Sequence, residues 1–186
     1  MIDAGELRKG IAIELEGKIY QVTDYHHIKM GRGAAQIRLR LRDIRSNNTT
    51  ERSFQASDKF TPAFLEHRSV QYLYSDGGLY YFMDNESYEQ IALTADQIVE
   101  AISYLKEGLN LEILTHKGET VSIELPAAVE LQVTETEPGF KGDTATGGNK
   151  PAKVETGITI QVPLFINIGD IIKVDTRNGE YLEKAS

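Results

Sequence analysis

Hydrophobic and polar residues alternate along most of this 186-residue chain. Alternation with a period of two is typical of β-strands that bury one face. The clearest case is residues 37–42, where three aliphatic residues alternate with three arginines. The same pattern, bounded by turn residues, predicts further strands at residues 11–16, 19–22, 70–74, 79–83, 111–115, 120–125, 129–136, 157–162 and 171–175.

One segment instead shows helical spacing. Thr94 and Gln97 have the positions of a capping box, and apolar residues come after them at intervals of three and four. Gly108 is a suitable residue just beyond the end of a helix. The pattern predicts one helix over residues 95–106.

Many short strands with turn signals every few residues are typical of small β-barrels. Joints near residue 65 and at Pro126 divide the chain into three parts, 1–65, 66–126 and 127–186. Each part has about 60 residues and buries only a modest core on its own. We therefore expect an all-β protein of three small barrels, with neighbouring barrels packed on one another.

The charge is uneven along the chain. The whole chain has a net charge of −8, but the three parts carry +3, −8 and −3. Residues 29–45 hold six cations and a single carboxylate. A local positive field beside an acidic domain attracts polyanions in one orientation. The first part is therefore the candidate nucleic-acid-binding region.

Cysteine is absent, which excludes disulfides, thiolate catalysis and cysteine-based zinc sites. The first residues contain no apolar signal segment, and no apolar run is long enough to span a membrane. From these features we expect a cytoplasmic protein with no membrane partner.

The residues Gly31-Arg32-Gly33 form the candidate site in the basic region. Two glycines let a tight tip take positive φ and force the guanidinium outward. Arg32 stays protonated at working pH, so it offers hydrogen bonds to phosphate and is not a general base. Lys29 favours phosphate contact, and a solvated charge at a hairpin tip remains the alternative. Arg38, Arg40 and Arg42 lie on one face of their strand and are candidate contacts to an RNA backbone.

No other segment carries a catalytic or metal-binding pattern. His26 and His27 are adjacent, so they point to opposite faces of a strand and do not share a metal. The glycine-rich residues 142–150 lack the spacing of a phosphate-binding loop of an NTPase. They suit either a polar loop near nucleic acid, with Lys150 on a phosphate, or a plain connection. The clustered aromatics favour core packing over base stacking: Tyr72, Tyr74, Tyr80, Tyr81 and Phe82.

Four separated blocks of the sequence resemble bacterial elongation factor P, a family related to the hypusine-bearing translation factor of eukaryotes and archaea. The blocks are residues 29–33 (KMGRG), 71–90 with QYLY and FMD, 138–152 with PGFKGDT and KPA, and 157–181 with IIKVDTR and GEY. The resemblance extends over essentially the whole chain.

The resemblance implies an SH3-like or KOW-like first domain followed by two OB-type domains in an L-shaped, tRNA-like arrangement. It also implies a translation elongation factor, not an enzyme, that binds the ribosome beside the P-site peptidyl-tRNA. Members of the family promote peptide-bond formation at consecutive prolines. The expected partners are both ribosomal subunits, the tRNA and rRNA, and the factor is expected to be monomeric.

The resemblance also assigns roles to individual residues. Arg32 corresponds to the position that reaches the CCA end of the tRNA and carries a modified Lys or Arg in many members. The resemblance leaves open whether Arg32 is rhamnosylated, which needs an arginine-modifying enzyme, or unmodified. It implies no other cofactor. Met30 stands where a proline is common, which makes the loop less stiff. The loop of Gly147, Gly148, Asn149 and Lys150 corresponds to the one near the messenger codon on the small subunit.

The sequence therefore leaves two functions from different classes. The first is the ribosome-bound translation factor. The alternative is an OB-type protein that binds single-stranded RNA away from the ribosome, for which stacking aromatics on a basic face are expected.

Overall fold

The computed structural model describes residues 1–29, 31–139 and 148–185, and within these ranges it contains sixteen strands and three short 3₁₀ helices. The helices are Ala4–Glu6, Ala95–Gln97 and Ile102–Tyr104. The strands are β1 (Ile2–Asp3), β2 (Ala12–Leu15), β3 (Lys18–Ile28), β4 (Gln36–Asp43), β5 (Thr49–Gln55), β6 (Lys59–Pro62), β7 (Glu66–Asp76), β8 (Leu79–Asp84), β9 (Gln90–Thr94), β10 (Asn110–His116), β11 (Glu119–Glu124), β12 (Ala128–Thr136), β13 (Asn149–Val154), β14 (Thr159–Pro163), β15 (Ile171–Asp175) and β16 (Tyr181–Lys184).

The strands form three sheets, which confirms the predicted all-β fold. Their orders are β1-β6-β2-β3-β4-β5, β11-β10-β7-β8-β9 and β14-β13-β12-β15-β16. The chain forms two compact units, one of residues 1–68 with 113–122 and the other of residues 69–112 with 123–186. The division into parts 1–65, 66–126 and 127–186 stays a prediction. No helix in the described ranges has the length and apolar character needed to span a membrane.

The first unit is built on the six-stranded sheet. Its inner face buries one apolar cluster, whose fully buried members include Ile13, Val22, Ile37, Leu39 and Leu41. A smaller cluster joins Ile44 to Leu114 and Val121, so residues 113–122 pack into this unit although they are distant in sequence.

His116 adds a polar contact to that packing. Its Nδ1 lies 3.1 Å from the carbonyl oxygen of Phe64, and its Nε2 lies 2.9 Å from Oε1 of Glu14. Both partners are acceptors, so only the protonated imidazolium donates to both. The hydrogen bond from His116 lowers the pKa of the Glu14 carboxyl, and Lys117 lowers it further.

In the second unit, the sheet containing β12 has a core of its own. Its members are buried aliphatic residues: Val129, Leu131, Val133, Ala152, Val154, Ile160, Val162, Ile166, Ile172 and Val174. The alternation of buried and exposed residues along β12 and β14 agrees with the predicted strands.

The predicted helix over residues 95–106 is wrong. Two 3₁₀ turns occupy this segment, and most of its backbone hydrogen bonds join residues three apart, such as Ala101 to Ile98 at 2.8 Å. The capping contact that suggested the helix is present, with the Thr94 N–H 2.9 Å from Oε1 of Gln97. The segment contains the β-branched residues Ile98, Val99 and Ile102, which lose side-chain rotamer freedom in a helix.

Three hairpin turns share one design that the sequence did not reveal as a repeat. Each begins with a buried aspartate whose side chain accepts a backbone N–H two residues later. The backbone N–H of the aspartate donates to the backbone carbonyl of the fifth residue after it. The backbone carbonyl of the aspartate accepts from the N–H of the fourth residue after it. That fourth residue has positive φ in each turn. The aspartates are Asp43, Asp84 and Asp175, and the positive-φ residues are Asn47, Tyr88 and Gly179.

The first of these turns gives a stability prediction. The Asp43 carboxylate accepts from the N–H groups of Arg45 at 2.9 Å and Ser46 at 3.3 Å. Asp43→Ala leaves both donors without this partner, so we expect the free energy of unfolding to fall by about 1–3 kcal/mol. Urea denaturation measures the change. Asp76→Ala, at an exposed aspartate that ends β7, is the control and should change it little.

The same aspartate contributes to acid sensitivity. Burial raises the pKa of Asp43, but the backbone hydrogen bonds from Arg45 and Ser46 outweigh the burial, and the pKa lies below its ordinary value of 3.8. The ionised form is therefore stabilised above about pH 4, and this contribution is lost as the pH falls through the lowered pKa. Between about pH 5 and pH 2, wild type should lose stability more steeply than Asp43→Ala. Parallel curves would contradict this assignment.

Candidate nucleic-acid interface

The candidate interface begins with the hairpin of β3 and β4. The two strands pair as far as Ile28 opposite Gln36, so residues 29–35 form the connection, which we call the tip. Lys29, Gly31, Arg32 and Gly33 are all exposed, whereas Met30 lies outside the described residues. Within the described part of the chain, Arg32 has no ion pair or hydrogen bond. Its exposed guanidinium therefore has donors that no described residue engages.

The glycines of the tip differ from what the sequence suggested. Gly33 does not have positive φ, so it does not use the conformation that a glycine would allow there. A Cβ placed on Gly31 or Gly33 meets no described atom within 4 Å. The fold of this chain therefore leaves room for a side chain at both positions.

The tip continues into an exposed row of arginines on β4. Ile37, Leu39 and Leu41 are completely buried, and the alternate residues point outward. The predicted division into an apolar face and a guanidinium face is confirmed. We call the outward residues Arg38, Arg40 and Arg42 the arginine face.

The arginine face is not free of partners. Glu51 on β5 lies between two of the arginines, with Oε1 3.3 Å from Nε of Arg38 and Oε2 3.8 Å from an Nη of Arg40. Arg42 donates to Oε1 of Gln21 at 2.6 Å and is half-buried. Sequence reasoning missed Glu51 because the polar strand β5 has no clear alternation of apolar residues.

The polar loop expected at residues 147–150 is placed differently. Gly147 lies outside the described residues, and Gly148 is half-buried. Asn149 and Lys150 are the first residues of β13, so the loop assignment is wrong for these two. Lys150 is 6% exposed, and its ammonium donates to the carbonyl of Glu137. Since this cation is already bonded inside the protein, it is not presented to an external phosphate.

The aromatic cluster has two parts. Tyr72 and Phe82 are buried, which confirms core packing for these residues. Tyr74 is 50% exposed and stacks on Tyr81 with ring centroids 4.8 Å apart. In the pairing of β7 with β8 and of β8 with β9, neither tyrosine has a Lys or Arg opposite it, so these strands do not give the stack the basic setting typical of single-strand binding.

The tip gives a prediction with a matched control. Because Gly33 has ordinary φ and open surroundings, Gly33→Ala should leave the free energy of unfolding unchanged or raise it by up to about 1 kcal/mol. At Gly139 a Cβ would clash with the backbone of Leu164. Gly139→Ala should therefore lower the free energy of unfolding by about 1–3 kcal/mol. Denaturant unfolding compares the two, and equal losses would contradict this account of the tip.

Comparison with protein-family models covers nearly the whole chain. Residues 3–60 match the elongation factor P KOW-like domain, residues 65–123 the elongation factor P OB domain, and residues 129–184 the C-terminal elongation factor P model. The first two matches confirm the predicted KOW-like first domain and the OB domain that follows it.

Full-length relatives give the same result. The chain is 54% identical to elongation factor P of Thermoanaerobacter sp. (strain X514) over 99% of this chain and 100% of the relative. It is 51% identical to that of Moorella thermoacetica over 100% of both chains. Among solved structures, it resembles eukaryotic translation initiation factor 5A from Methanococcus jannaschii, with a TM-score of 0.51, 25% identity and coverage of 67% of this chain and 93% of the other. The chain belongs to the elongation factor P family of translation factors.

Proposed function

We propose that this translation elongation factor binds the ribosome beside the peptidyl-tRNA and promotes peptide-bond formation at consecutive prolines. The observation that carries the proposal is Arg32, an exposed guanidinium without a described partner at the end of the β3–β4 hairpin. A cation in the connection beyond the last pair of this hairpin reaches away from the core, and the pairing of β3 with β4 fixes where that connection begins and ends. It suits contact with the phosphate and base groups at the CCA end of a tRNA.

The proposed action is positioning. Proline is a rigid and poor nucleophile, so a peptidyl-tRNA that ends in proline can rest in an unproductive geometry. Contacts that hold the tRNA end restore the near-attack arrangement, and orientation effects of this kind account for several kcal/mol of a barrier. The factor then needs no acid, base or nucleophile of its own, in keeping with its non-enzymatic family. Gly31, Gly33 and Lys29 support the tip, and the arginine face contacts the RNA backbone.

The chemical state of Arg32 forms part of the proposal. An exposed arginine is accessible to a modifying enzyme, and a rhamnose would extend its reach and add hydroxyl groups. Modification routes that require a lysine do not apply at this position. The mass of the peptide containing Arg32, isolated from native cells, distinguishes the modified from the unmodified state.

The proposed binding to the ribosome implies further partners. Ribosome binding places the factor in the cytoplasm, in contact with tRNA and with rRNA of both subunits. On the small-subunit side, Gly148 and the first residue of β13, Asn149, remain the proposed contacts. Lys150 does not join them, because its ammonium donates to the carbonyl of Glu137. We propose that one monomer acts on each ribosome.

The test is synthesis of a triproline-containing peptide on purified ribosomes. Wild type should accelerate synthesis, and Arg32→Ala should lose at least about 10-fold of the rate, because misplacement at a reacting centre is costly. Arg32→Lys should recover part of the rate if charge is enough and little of it if the planar guanidinium is required. Arg45→Ala, which removes an exposed arginine in the turn after β4, is the matched control and should retain the wild-type rate.

The outcomes separate the alternatives. Wild type that binds ribosomes without accelerating synthesis indicates that a modification of Arg32 is missing, and protein from native cells should then be active. If that protein is also inactive, the proposed function is wrong. Binding to free single-stranded RNA with no preference for ribosomes would support the alternative function away from the ribosome.

A further inference from the structure

Glu51 occupies the centre of the arginine face. The register of β3, β4 and β5 places Arg40 opposite Glu51 on one side and opposite Asp24 on the other. Residues directly opposite in antiparallel strands share a face of the sheet. The carboxylate of Glu51 contacts two guanidinium groups, and all three side chains are about half exposed.

The same donors serve a phosphate and a carboxylate. Each presents two oxygens to the planar fork of a guanidinium, and both are charge-assisted acceptors. A phosphate oxygen that approaches Arg38 or Arg40 therefore meets donors that Glu51 already engages. Exposed ion pairs of this kind are weak, so a well-placed phosphate can displace the carboxylate.

We propose that Glu51 is the competitor that RNA phosphates must displace from Arg38 and Arg40, and that it thereby makes the arginine face selective. When other contacts of a complex hold RNA against this face, the RNA phosphates are present at high effective concentration and displace Glu51. Free RNA lacks that help and binds weakly. The inference rests on the proposed function, because it takes the arginine face to be an RNA contact.

The charges around Glu51, Arg38 and Arg40 fit this role. Arg42 is tied to Gln21, a neutral residue, and among the described residues no carboxylate is paired with it. On the other side of the arginines, β3 places Asp24 opposite Arg40. An oxygen of the Asp24 carboxylate lies 3.3 Å from Nε2 of His26. The arginine face therefore has carboxylates on both of its flanks, which lowers the positive potential that a free polyanion experiences.

The experiment uses full-length Glu51→Gln, which keeps the shape of the side chain and removes its charge. Binding is measured to poly(U) and, separately, to ribosomes carrying peptidyl-tRNA, between about 50 and 300 mM KCl. We expect poly(U) to bind about 3- to 5-fold more tightly at the lowest salt and with a steeper salt dependence. Ribosome affinity should rise by less, so the preference for ribosomes falls.

Two controls separate this effect from a general change of charge. Glu16→Gln removes a carboxylate that pairs with Arg52 at 3.1 Å in the same unit, away from the arginine face. It should change poly(U) affinity less than Glu51→Gln does. In an Arg38→Gln, Arg40→Gln background, Glu51→Gln should have no more effect than Glu16→Gln.

The result that overturns the proposal is equal poly(U) affinity for Glu51→Gln and Glu16→Gln. Weaker binding by Glu51→Gln also overturns it, because Glu51 would then orient the arginines instead of competing for them. If wild type fails to associate with ribosomes, the proposed function fails, and the poly(U) comparison still measures whether Glu51 competes with phosphate.

Discussion

The pairing of β3 with β4 is the interaction on which the candidate interface depends. Eight register pairs, from Tyr20 opposite Asp43 to Ile28 opposite Gln36, hold the hairpin together. Its inward residues Ile37, Leu39 and Leu41 are completely buried, which fixes the register because a shift by one residue would expose them. The same constraint directs the arginines outward and sets the tip beyond the last pair.

The cations of the hairpin consequently differ in availability. Arg32 stands at the tip without a described partner, whereas Arg38 and Arg40 share Glu51 and Arg42 is bound to Gln21. The guanidinium at the tip suits a specific contact. The restrained guanidinium groups on β4 suit weaker contacts that help to orient the factor on RNA. Basic composition alone does not distinguish these roles, since all four residues are arginines in one short segment.

Local periodicity explains which parts of the fold could be predicted from the sequence. The alternation in β4 indicated its buried and exposed faces correctly, and β15 was predicted with its observed bounds. Polar strands such as β5 lack that signal, and the apolar spacing of Ile98, Ala101 and Leu105 suits 3₁₀ turns as well as an α-helix. The partners of Arg38 and Lys150 depend on strand register and on the carbonyl of Glu137, which no local pattern encodes.

The proposed function requires the tip to reach the end of the P-site tRNA. The absence of cysteine makes a direct measurement available, because Gly33→Cys provides a single attachment site for an iron chelate that generates hydroxyl radicals. On ribosomes stalled at consecutive prolines, we expect strand cleavage at the 3′ end of the peptidyl-tRNA from this position and none there from Asp76→Cys. Ribosome binding without cleavage at the tRNA end from position 33 would contradict it.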